Sequence, residues 1–262
     1  MNQQDHTLYL ELLAICGDIL EFMKNAKTFP SQLRFEVLNE NCYDLMYLDL
    51  KQVIPKQQLY PKVPALEATC KQCWKFFLTP RNGSDKILDL QLGKKFEHKL
   101  IEFLGLKHID CRKGDNQNKM YPDNVVFKNE KIVAYLEVKY QAAPWLWAHR
   151  EEGTQRECYE GSPALDEKKL KQQYELIETG EITVPVYYVY WLDFPCLKGV
   201  FFVSAEDIHT YYTTEAKLFD RKERSGDFKT TGGQTRKVGA TSKIHPSTMM
   251  MRPFSELMKE LS

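Results

Sequence analysis

Asp123, Glu137 and Lys139 are the residues of this chain whose types and spacing could do chemistry together. Glu137 and Lys139 stand two apart in a run, residues 132–141, that alternates as a strand does. Ile132, Ala134, Leu136 and Val138 point one way, and Val133, Tyr135, Glu137, Lys139 and Gln141 point the other. Asp123 follows Pro122 at the start of the preceding run, and a turn at 128–131 would fold the two runs into a hairpin and bring Asp123 up beside the other two. Two carboxylates offer hard oxygen donors to a divalent cation, and an ammonium beside them steadies negative charge. The plainer reading of charges at alternate strand positions is a solvated face or a surface ion pair. Against it, the other face of the strand is apolar and rich in β-branched residues, as in a strand buried at the centre of a sheet.

The surrounding sequence supplies the elements such a sheet needs. Residues 92–104 carry Phe96, Leu100, Ile101, Phe103 and Leu104 at helical spacing, with Gly105 as a stop and Glu97 near the edge of the apolar stripe. A short strand is expected at 107–111, and a polar loop at 112–119 leads into the hairpin. A second helix is expected at 165–179, on Leu165, Leu170, Tyr174 and Ile177, with Gly180 beyond its end. Strands follow at 184–192 and 199–204, then helices at 205–212 and 254–261. Between them, residues 142–150 bring Trp145 and Trp147 next to His149 and Arg150, a mixture that stacks on bases or, more ordinarily, packs a core or a lid.

The N-terminal third reads as mainly helical. Residues 7–26 place Leu8, Leu12, Ile15, Cys16, Ile19, Leu20 and Met23 on one face. Shorter amphipathic pieces at 32–39, 43–50 and 64–77 are separated by prolines, and a loop at 80–84 closes a region of residues 1–88 beside a core of residues 89–262. Cys70 and Cys73 have the spacing of half a zinc site, but no second pair follows at usual spacing, so a pair of buried small residues is the stronger reading.

With 262 residues the chain can bury a sizeable core, and 43% hydrophobic with 27% charged residues is an ordinary globular composition. No apolar run reaches the length of a membrane span and the first residues lack a signal-peptide pattern, so a cytoplasmic setting without membrane contact is expected. Seven cysteines at irregular spacing fit reduced thiols. The formal net charge is zero, so any nucleic-acid binding must come from a local patch. One such patch exists. Residues 221–243 carry seven bases (Arg221, Lys222, Arg224, Lys229, Arg236, Lys237 and Lys243) against two acids, with four glycines and Gln234. Read as a loop, it is either a solvated segment or a clamp for a nucleic-acid backbone.

The element order together with Pro122-Asp123, thirteen intervening residues and Glu137-Val138-Lys139, with Gln141 following, resembles the PD-(D/E)XK nuclease superfamily. The resemblance covers residues 89–205. It implies an αβββαβ core with a central mixed sheet flanked by helices, and Mg²⁺ held by Asp123 and Glu137, with Glu97 completing the site directly or through a water. It also implies that Lys139 orients the attacking water or steadies the transition state of phosphodiester hydrolysis. Within the superfamily the chain looks most like a type II restriction endonuclease, which implies a prokaryotic homodimer cutting double-stranded DNA at a short site. In that picture the N-terminal region serves dimer contacts or DNA recognition. Gln141, Arg221, Arg224, Lys229, Gln234, Arg236, Lys237 and Lys243 are the candidate DNA-binding residues. A structure-specific, repair or defence nuclease of the same fold is the nearest alternative, and an inactive DNA-binding module the next.

Overall fold

A computed structural model describes residues 3–25, 53–63, 65–77, 86–114, 118, 120–146, 156–214, 228–231, 234–237 and 242–262. The expected helices at 32–39 and 43–50, and Arg221 and Arg224, lie outside them. Strand formation is clearest in the middle of the chain. β-branched and aromatic runs form β2 (Asn124–Lys128), β3 (Lys131–Gln141), β5 (Val186–Asp193) and β6 (Lys198–Ser204), and the mostly polar β1 (Asp110–Lys113) pairs with β2 at the edge. With β10 (Arg252–Pro253) they make a six-stranded sheet in the order β1-β2-β3-β5-β6-β10. β3 and β5 run parallel and the other neighbours antiparallel, so the sheet is mixed.

β5 is buried along its whole length, and its near-continuous apolar run follows from being covered on both faces. Tyr188, Tyr190 and Leu192 look into one core and Tyr187, Val189 and Trp191 into the other. The first core is covered by α3 (Lys56–Leu59), α4 (Leu66–Phe77), α6 (Cys158–Gly161), α7 (Glu167–Glu178) and α8 (Ala205–Thr214). The second is covered by α1 (Gln3–Ala14), α2 (Gly17–Asn25), α5 (Lys86–Leu106) and α9 (Phe254–Leu261). The chain is a mixed α/β protein with a central mixed sheet flanked by helices, and its N-terminal helices contribute to both cores.

Three local expectations change. The helix expected at 7–26 is two, broken by a turn before Gly17. α5 runs through Gly105 to Leu106, and the chain reverses only at Lys107–His108, where His108 takes φ 61°. The strand expected at 107–111 therefore starts three residues later, at Asp110. The segment 221–243, read as a loop, contains a two-stranded ribbon, β7 (Phe228–Thr231) and β8 (Gln234–Lys237), and a short strand β9 (Lys243–Ile244). β9 pairs with β4 (Leu165–Asp166), immediately before α7.

Candidate functional site

The site forms where the β2–β3 pairing stops. The last ladder pair is Asn124 opposite Leu136, yet β3 continues to Gln141 in register with β5. Pro122 has no N–H to give and ends β2 there. The carboxylate of Asp123 takes over, its Oδ2 accepting from the Val138 amide at 3.1 Å. Gly114 packs against this corner. Its N–H donates to the Asp123 carbonyl at 2.8 Å, and a Cβ there would sit 2.7 Å from the Pro122 carbonyl, so a side chain would push the Pro-Asp corner away.

Glu137 and Lys139 leave β3 on the face toward α7. Lys139 donates to Glu137 Oε1. A second lysine, Lys169 of α7, reaches both acids, with Nζ 3.1 Å from Asp123 Oδ1 and 2.6 Å from Glu137 Oε2. Gln173, one turn further on, donates to Glu137 Oε2 at 2.8 Å and accepts from the Tyr188 hydroxyl at 2.7 Å. Glu137 is fully buried, whereas the side chains of Asp123, Lys139 and Lys169 are each 26% exposed, so the cluster has a sealed floor and an open rim.

The two acids titrate in opposite directions. Burial would raise Glu137, but the ammonium groups of Lys139 and Lys169 outweigh it and hold the carboxyl below its ordinary value. Asp123 is raised by burial and by the charge of Glu137, against the pull of the same lysines. Lys139 loses from burial but gains more from Glu137 and Asp123, and ends above its ordinary value. The acids are thus unequal, and Lys139 is fully charged at neutral pH.

Of the other expected site residues, Glu97 comes from α5, on the opposite layer. It ion-pairs with Lys113 at 2.8 Å, and the Asn124 amide, turned to donate, reaches it at 3.3 Å. Its charge also raises Asp123. Gln141 donates to the Ala164 carbonyl at 3.1 Å and tethers β3 to the chain before β4. Lys229 stands opposite Arg236, and Thr231 opposite Gln234, in the β7–β8 ribbon. Lys243, in β9, stands opposite Asp166. Lys169 and Gln173 join the site although neither is expected there from the sequence.

Among the described residues, no three His, Cys, Asp or Glu side chains stand together as an all-protein metal cage. Mg²⁺ does not require one, because it binds through one or two carboxylates and completes its shell with water and substrate oxygens. Asp123 and Glu137 supply hard oxygens with a positive charge already lodged between them, so the donor set fits that ion. Burial pushes the Cys70 and Cys73 thiols up to about 11 and about 12, so both are protonated in the metal-free protein.

No protein-family model matches the chain, and no curated protein matches it. Among solved structures it is similar to Hjc, a Holliday junction resolvase from the archaeal hyperthermophile Archaeoglobus fulgidus. That match has 12% identity and a TM-score of 0.34, over 64% of this chain and 95% of the resolvase. No helix among the described residues is long and apolar enough to cross a membrane.

Proposed function

We propose that the chain is a Mg²⁺-dependent nuclease that hydrolyses phosphodiester bonds in double-stranded DNA, and that it acts as a type II restriction endonuclease. The observation that carries the reading is the convergence of Asp123, Glu137 and Lys139 where β2 leaves the sheet, with Lys169 closing the group. Asp123 and Glu137 would hold Mg²⁺. When bound, the cation acts as a Lewis acid on a phosphodiester oxygen and lowers the barrier to attack by water. The chain's own residues do the rest. The Val138 amide and Gln173 fix the two carboxylates, so the oxygens are aimed before any ligand arrives. Lys139, charged and partly exposed at the rim, orients the attacking water and steadies the negative charge that grows on the phosphoryl oxygens.

Duplex binding is supported by where the basic segment ends. Its C-terminal end is joined to the site's own helix, because β9 pairs with β4 and the Glu167 amide donates to the Ser242 carbonyl at 3.1 Å. Lys243, the last base of that segment, thereby stands opposite Asp166 at the start of the helix that carries Lys169, where a DNA backbone would run. A site-specific cut through both strands calls for two copies of the site, hence a homodimer.

The test is digestion of phage and plasmid DNA with Mg²⁺ or with EDTA, using wild type and Asp123→Asn. Discrete fragments that need Mg²⁺ and vanish in the variant are expected. A smear, or cleavage of branched DNA alone, would move the assignment to a structure-selective or nonspecific nuclease of this fold. DNA left intact in every reaction but bound equally by both proteins would overturn catalysis and leave a binding module.

A further inference from the structure

Lys169 is the member of the cluster for which Asp123 before β2 and the Glu and Lys of β3 give no reason, and the charge around it carries an inference that rests on the proposed function. Its ammonium spans the same two carboxylates that would hold Mg²⁺, at 3.1 Å from Asp123 Oδ1 and 2.6 Å from Glu137 Oε2. Lys139 takes the remaining oxygen of Glu137. Two carboxylates are therefore matched by two ammonium groups before any cation arrives. A divalent cation would add two positive charges to a neutral, half-buried cluster, and would compete for oxygens that already have donors. A lysine is the side chain that can yield: its charge rides on a flexible four-carbon stem. The backbone need not move, since Lys169 lies in the first turn of α7, its amide held by the Asp166 side chain at 3.2 Å.

We infer that Lys169 is a displaceable counter-ion. It holds Asp123 and Glu137 together in the metal-free protein, opposes Mg²⁺ there, and leaves the pair when the cation enters. A phosphate at the rim then offers it a new acceptor, so the site takes Mg²⁺ weakly until an anionic substrate is present.

The test is calorimetric titration of Mg²⁺ into the DNA-free protein, with melting in EDTA beside it, for wild type, Lys169→Met and Asp123→Asn. Lys169→Met keeps the stem without the charge. It is expected to bind Mg²⁺ about tenfold tighter than wild type and to melt at a lower temperature in EDTA. Lys169→Gln gives a parallel reading should the methionine variant fold poorly, and Lys169→Arg, which keeps the charge, should stay close to wild type. Equal or weaker Mg²⁺ binding by folded Lys169→Met and Lys169→Gln would overturn the counter-ion role while leaving the nuclease reading in place. No Mg²⁺ binding by any protein, with Asp123→Asn indistinguishable from the rest, would overturn that reading and this inference with it.

Discussion

Glu137 shows how much a single buried charge demands of its neighbours. A fully buried carboxylate is costly unless paired and hydrogen-bonded, and here it receives Lys139, Lys169 and Gln173. Gln173 is held in turn by Tyr188, which stands opposite Glu137 in the β3–β5 register. Removing the hydroxyl in Tyr188→Phe leaves the Gln173 carbonyl short of that donor and should cost about 1 kcal/mol in urea unfolding. Gln173→Leu should cost more, about 1–3 kcal/mol, because a buried phenol and a buried carboxylate each lose a partner. Equal stability of both variants and wild type would mean that the network does not hold Glu137. Asp123, Glu137 and Lys139 were legible in the sequence because a strand's period of two and a proline are local signals. Lys169 and Gln173 were not, since their role depends on where α7 docks against the sheet. The apolar stripe at Leu170, Tyr174 and Ile177 located the helix. The two polar residues one turn apart on its flank were the only hint of what it presents to the site.

At the scale of elements, the basic segment is joined to α7 by a small set of bonds centred on Glu167. That carboxylate accepts from Ser242 Oγ and from the Tyr212 hydroxyl at 2.7 Å, and ion-pairs with Lys171 at 2.7 Å. Hydrogen bonds from Lys171, Ser242 and Tyr212 pull Glu167 down from the ordinary 4.5 to about 2. A carboxyl depressed on folding stabilises the fold above its ordinary value and loses that contribution as pH falls through the folded one. The advantage of wild type over Glu167→Gln in melting temperature should therefore be full above about pH 5 and shrink steadily toward pH 2. A difference that stays constant across this window, followed by calorimetry, would show that Glu167 does not act through its charge. This attachment was invisible in the sequence, because β4 and β9 are two residues each and are defined only by pairing with one another. The long central strands were readable to within two residues, as were α8 and α9. Errors gathered at ends, as at Gly105, where the helix ran on and a left-handed His108 made the turn instead.

Taken whole, the molecule separates the site from its support. Asp123, Glu137, Lys139 and Lys169 lie on the α7 side of the sheet, while the first and last helices close the other side. α9 begins at Phe254 after Pro253, which offers no side-chain cap, so the orphan amides of its first turn need an acceptor from elsewhere. Asp5 of α1 provides it, its Oδ1 accepting from the Ser255 amide at 2.6 Å across 250 residues of chain. This is an N-cap supplied by a different helix, and a carboxylate at a helix N-terminus also meets the positive end of the helix dipole. Asp5→Ala should cost about 1–2 kcal/mol in urea unfolding, and Asp5→Asn, which keeps the acceptor, distinctly less. Because the bond belongs to the layer behind the sheet, neither change should alter Mg²⁺ affinity well below the melting temperature. A parallel loss of Mg²⁺ binding in Asp5→Ala would mean that the two layers do not act independently, and that the stacking of Phe96 of α5 on Tyr140 of β3, at 3.8 Å between ring centres, passes disturbance through the sheet to Lys139 beside it.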